Sequence, residues 1–147
     1  MIIYTIGFGK KSAEQFFNLL KKNQVQLLVD VRLNNRSQLA GFTKDGDIQF
    51  FLKDICGIEY THAYDLAPEK ELLSGYQAKQ ITWNSYVDTF TKLMESRGTY
   101  KQFINKFRRY ERVCLLCSEP TPEKCHRRLV AEMIAAENPN TVQVVHL

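Results

Sequence analysis

Leu27, Leu28, Val29 and Val31 enclose a single acid, Asp30, in a run that leaves no polar face. A strand with one side in water alternates apolar and polar residues. A run apolar on both sides marks a parallel strand covered by helices above and below. Such a strand commits the chain to an α/β arrangement, because parallel neighbours need crossover connections long enough to hold a helix.

The surrounding sequence supplies those crossovers. Residues 2–6 read as a first strand, closed by Gly7-Phe8-Gly9. Ser12-x-x-Gln15 is a capping box, followed by the helical stripe Ala13, Phe16, Phe17 and Leu20. After strand 27–31, a polar loop is expected over 32–44. A helix over 47–55 has Ile48, Phe51, Leu52 and Ile55 on one face. Residues 58–62 form a short third strand, and 65–82, with Pro68 and Gly75, read as irregular. Helices follow over 83–96 and 100–110, separated by Gly98. Residues 112–117 are a fourth buried strand. Thr121 then fits a helix cap with Pro122 at the first helical position, in a helix reaching about residue 137. Residues 142–147 close the chain as a strand. No repeat or linker interrupts this order, so residues 1–147 are expected to form one domain. The expected fold is a three-layer α/β sandwich, a mostly parallel sheet of about five strands flanked by helices.

With 44% hydrophobic and 24% charged residues, the composition excludes a disordered chain. No apolar stretch is long enough to span a bilayer, which excludes a membrane helix. The start, Met1-Ile2-Ile3-Tyr4, has no basic leader, so a cytoplasmic location is expected and the four cysteines read as thiols. A net charge of +4 permits an anionic partner without requiring one.

Chemistry-bearing residues gather where the fourth strand ends, in the run Cys117-Ser118-Glu119-Pro120-Thr121-Pro122-Glu123-Lys124-Cys125-His126-Arg127-Arg128. Leu129, Val130, Met133 and Ile134 form the core stripe of the helix that follows. One turn earlier, Cys125 and His126 fall on the same side and lean toward Cys117. Arg127 borders the stripe, whereas Arg128 lies opposite it, four residues before Glu132, in position for a solvated ion pair. A helix start favours anions and lowers a thiol pKa, and Glu119 is placed to orient His126 or carry a proton. Each of these residues also has a packing explanation, since a strand-end cysteine is a good core residue. Cys114-x-x-Cys117 with Cys125-His126 offers four zinc donors. Cys114 and Cys117 are an odd number of strand positions apart, however, and point to opposite faces, so no metal is expected. Gly7-x-Gly9-x-x-Ser12 lacks the third glycine of a dinucleotide fingerprint, and Gly9-Lys10-Lys11-Ser12 misses the phosphate-loop spacing. No particular cofactor or oligomeric state is indicated.

Thr5-Ile6-Gly7, Leu28-Val29-Asp30-Val31-Arg32, Gly57-Ile58-x-Tyr60-x-His62 and Leu115-Leu116-Cys117-x-Glu119-x-x-Pro122-x-x-Cys125-His126-Arg127 occur in that order. Together they resemble the family called domain of unknown function 488, over essentially the whole chain. The resemblance implies a single α/β domain with no established activity, and matching positions at Gly7, Asp30, Arg32, Ser37, Tyr60, His62, Cys117, Glu119, Cys125, His126 and Arg127. Two departures stand out. Phe8 and Gly9 replace the His and Ser common after Thr-Ile-Gly in the family, and Leu33-Asn34-Asn35-Arg36-Ser37-Gln38 replaces a loop that commonly contains proline.

Three readings follow. The first is an enzyme or small-ligand protein with a phosphate or nucleotide site. There Gly7, Asp30, Arg32, Ser37, His62 and Arg127 bind the anion, while Cys117, Glu119, Cys125 and His126 do chemistry. The second is a cysteine-dependent sulfur-transfer or phosphatase-like enzyme, since the Asp30-Arg32 strand end is similar to that of rhodaneses. Pro120 and Pro122 oppose it by removing backbone donors from an anion loop. The third is a nucleic-acid-binding module using Arg108, Arg109, Arg112, Arg127 and Arg128 with Tyr100, Phe103, Phe107 and Tyr110, although Phe103 and Phe107 have core spacing.

Overall fold

A computed structural model describes residues 1–37 and 40–147. Five parallel strands form one sheet in the order β3-β2-β4-β1-β5: β1 (Ile2–Gly7), β2 (Leu27–Asp30), β3 (Glu59–His62), β4 (Arg112–Cys117) and β5 (Gln143–His146). Every residue of β2 is buried, as its unbroken apolar pattern requires. The alternation of strand side chains divides the core into two layers. Tyr4, Ile6, Leu28, Cys114 and Leu116 face α1 (Ala13–Lys22) and α2 (Asp47–Phe50). Ile3, Leu27, Val29, Val31, Val113 and Leu115 face α4 (Trp83–Arg97), α5 (Phe103–Lys106) and α6 (His126–Glu137). Among the described residues no helix is long and apolar enough to cross a membrane.

This layering fixes where a cleft can form. The helix after β1 and the helix after β2 lie on one face, while the helix after β4 lies on the other. Connections leaving neighbouring strands toward opposite faces open a crevice at the strands' carboxyl ends. Cys117 ends the central strand β4, opposite Gly7 of β1.

Several local expectations hold. The Ser12–Gln15 capping box forms, with Gln15 N donating to Ser12 Oγ (3.2 Å) and Ser12 N to Gln15 Oε1 (2.9 Å). Arg128 pairs with Glu132 at 3.0 Å. Phe103 and Phe107 are core residues, so they do not offer a stacking surface for bases.

Other expectations are corrected. Residues 65–82 are not simply irregular: α3 (Lys70–Gln77) forms there without a fully buried residue. The helix over 47–55 starts as α2 and continues as a π-helical stretch, Phe51–Cys56. The 100–110 helix is a 3₁₀ turn, Thr99–Gln102, followed by the single turn α5. The loop over 32–44 contains a 3₁₀ turn at Gly41–Thr43, and its Gln38 lies outside the described residues. The helix expected to start at Pro122 starts at His126, with Cys125 as its extended cap residue (φ −138°, ψ 137°). Cys125 N instead donates to the Pro122 carbonyl, in a separate turn.

Candidate functional site

Where β4 ends, three reactive side chains converge. Cys117, Cys125 and His126 are all buried, and their two sulfurs and a ring nitrogen lie within 4.8 Å of one another. Each arrives from a different constraint. Cys117 is the last residue of β4 and shares the face of Val113 and Leu115. Cys125 caps α6, and His126 is its first residue. The carbonyls of Cys117 and Ser118 accept the N–H groups of Phe8 and Gly9, which extends the β1–β4 pairing past the strand ends.

His126 is oriented by the backbone. Its Nε2 lies 2.7 Å from the Val31 carbonyl oxygen, and its Nδ1 lies 3.6 Å from Cys117 Sγ. A carbonyl only accepts, so Nε2 carries a proton and Nδ1 is the nitrogen that exchanges a proton with Cys117. Glu119, expected to orient the ring, is exposed and contributes its main-chain oxygen to Arg127 instead.

The electrostatics separate the two cysteines. The hydrogen bond from Cys125 is the largest influence on Cys117. With the charge and hydrogen bond of His126, it overrides burial and holds Cys117 well below the usual thiol range. The same hydrogen-bond interaction, reinforced by burial, pushes Cys125 far above that range. Burial works against a charged His126, yet the adjacent Cys117 thiolate raises its pKa overall. These directions favour a Cys117 thiolate beside a protonated His126 and a Cys125 thiol. These are also the described residues whose donors converge closely enough to hold a metal ion, with Nδ1 turned toward the sulfurs. Cys114 belongs to the opposite face, as strand phase requires.

A cavity of about 580 Å³ opens over this cluster. Cys117, Cys125 and His126 form one side, with Ser118, Glu119 and Lys124 beside them. Tyr76, Trp83 and Tyr86 from α3 and α4 form another. Arg32 and Ser37 also line it. The aromatic wall was missed because Trp83, Tyr86 and Phe90 read equally well as a helix core stripe, and Phe90 does pack in the core.

Four of the expected ligand-binding residues lie elsewhere. Gly7 faces the Glu119 carbonyl and the Arg127 guanidinium. Arg127 is completely buried. Its Nη1 donates to the Glu119 carbonyl at 2.7 Å, while Nε and Nη2 have no hydrogen-bond partner among the described residues. Asp30 is buried against Arg32, receiving Nε at 2.9 Å and Nη2 at 2.7 Å, and it also accepts the Tyr60 hydroxyl at 2.8 Å. His62 donates to the Arg32 carbonyl at 2.7 Å and lines a second cavity with Tyr60, Asn34 and Asn35. Arg32 does border the main cavity, but Asp30 and Thr43 engage its Nε, Nη1 and Nη2. Thr43 gives no local signal in the sequence, since its role depends on the loop folding back eleven residues later.

A parallel α/β domain with a cysteine–cysteine–histidine cluster at its central strand end is the class that fold and site define. The chain belongs to the DUF488 family, described as a domain of unknown function, whose model matches residues 12–134. Searches of curated proteins and of solved structures found no match.

Proposed function

We propose that the protein is a cysteine-dependent enzyme in which Cys117 is the nucleophile and His126 its proton partner. The observation that carries this reading is the contact between Cys117 Sγ and His126 Nδ1, with Nε2 held by Val31 and the sulfur bordering a cavity large enough for a small molecule. A thiolate is the reactive form of cysteine, and a neighbouring imidazolium both stabilises it and protonates a leaving group. An anion-binding site in which Arg32 and Arg127 clamp the ligand receives less support. Arg32 is engaged by Asp30 and Thr43, and Arg127 lies outside the cavity.

The test is the pH dependence of iodoacetamide alkylation at Cys117, read by peptide mass spectrometry, beside the thiolate ultraviolet absorbance lost in Cys117→Ser. Alkylation should already be substantial at slightly acid pH and should slow at that pH in His126→Gln. A rate and an absorbance that rise only through the ordinary thiol range, near a pKa of about 8.5, refute the reading.

A further inference from the structure

A nucleophilic cysteine needs one sulfur, and this site holds two. Cys125 Sγ lies within 4.8 Å of Cys117 Sγ, and both residues line the same cavity. The other two cysteines are excluded, since Cys114 is buried on the opposite face and Cys56 lies in the π-helical stretch near Phe17 and Phe51. A disulfide requires the sulfurs to close to about 2.0 Å. The intervening residues 118–124 form bends and turns without a helix or strand.

We propose that Cys125 is the resolving thiol of a two-cysteine exchange centre whose substrate is a low-molecular-weight disulfide, an inference that rests on Cys117 being the nucleophile. The Cys117 thiolate attacks one sulfur of R–S–S–R′. The S–S bond breaks, and R′S⁻ leaves with the proton of the His126 imidazolium. Cys117 now carries R in a mixed disulfide. Cys125 passes its proton to the neutral imidazole, and its sulfur attacks Cys117 Sγ. RS⁻ is expelled and takes that proton from His126. The substrate has gained two electrons and two protons, Cys117 and Cys125 are joined as a disulfide, and an external thiol reductant restores them.

Two features select this substrate class. Attack by Cys125 at the Cys117 sulfur is productive only when the group bonded to that sulfur can leave with the electron pair, as a thiolate does; in an acyl or phosphoryl adduct the electrophile is the carbon or phosphorus and not the sulfur. Hydrogen peroxide would meet that condition, but it has no use for a cavity of about 580 Å³ walled by Tyr76, Trp83 and Tyr86.

The reduced full-length protein is incubated with oxidised glutathione, quenched by alkylation and analysed by mass spectrometry without reduction. The wild type should lose two thiols, yield a linked Cys117–Cys125 peptide pair and release two equivalents of glutathione. Cys125→Ser should stop at one glutathione on Cys117, Cys117→Ser should form no adduct in the cavity, and Cys56→Ser should behave as wild type. A wild-type adduct that persists on Cys117 with Cys125 still free overturns the resolving role and leaves the nucleophile in place. Oxidation of the pair by hydrogen peroxide but not by oxidised glutathione overturns the substrate class instead. Absence of any adduct, together with an iodoacetamide-inert Cys117, overturns the nucleophile itself.

Discussion

Gly7 ends β1 beside Cys117, and adding one methyl group there strikes the loop that carries the site. A Cβ at Gly7 would lie 1.5 Å from the Glu119 carbonyl oxygen, 2.6 Å from its carbon and 3.0 Å from Arg127 Nη1. Ordinary contact begins at 3.4 Å, so the carbonyl must retreat. It is also the acceptor of Arg127 Nη1, on a side chain whose other nitrogens, Nε and Nη2, already have no hydrogen-bond partner among the described residues. Gly7→Ala therefore combines overpacking with loss of a hydrogen bond from a buried charge. Overpacking costs about 1–3 kcal/mol and the lost bond about 1.5–3 kcal/mol, in all about 2.5–6 kcal/mol. Against a domain stability of about 5–15 kcal/mol, that is a large fraction. Urea denaturation followed by circular dichroism measures it. A variant within about 0.5 kcal/mol of wild type, the usual spread of neutral surface changes, would refute the packing argument.

Four further outcomes follow from the same geometry. Cys125→Ser retains a hydrogen-bond donor toward Cys117 and should leave its alkylation rate near neutral pH close to wild type. Cys125→Ala removes the donor that most strongly lowers Cys117, so its alkylation below the new pKa should slow by about threefold per unit of upward shift, after the gain in intrinsic nucleophilicity. Stability should also report the ion pair. Cys117 is depressed, so its contribution is present above its unfolded pKa and fades as pH falls through the folded value. His126 is raised, so its contribution is present below 6.5 and fades as pH rises through the folded value. The stability difference between wild type and His126→Gln, from denaturant titrations across pH, should therefore shrink at both ends of that window. Arg32→Met strands the fully buried Asp30 carboxylate and should cost about 3–5 kcal/mol in the same assay.

The sheet was legible because burial on both faces writes itself into composition, as in 27–31 and 113–117. The cluster was legible in part. Helix phase turned Cys125 and His126 inward, and strand phase sent Cys114 to the far face, but neither rule shows that three side chains from two elements meet. The start of α6 was misread because Thr121-Pro122 satisfies every local rule for a helix beginning. Tertiary bonds override that signal. Arg128 donates to the carbonyls of Pro122 and Glu123, and Arg127 to that of Glu119, so residues 119–123 fold back onto α6 instead of joining it. The helix α3 was missed for the opposite reason: with Gly75 inside it and no fully buried side chain, it has little apolar periodicity to read.

Arg127 illustrates how a residue type can mislead about its role. An arginine in a motif of cysteines and a histidine suggests a clamp for an anionic ligand, yet this one is completely buried and does not line the cavity. A buried cation without a carboxylate partner acts at short range through its field, because the low-polarity interior screens it poorly. That field favours the deprotonated form of Cys125 and opposes the charge on His126. Burial and the Cys117 hydrogen bond outweigh the first effect, and Cys117 outweighs the second. Both effects ease the proton transfers that an exchange centre needs, since Cys125 must give up its proton and His126 must release its own. Arg127 would act on the proposed exchange only through its field, from a buried position outside the cavity lining.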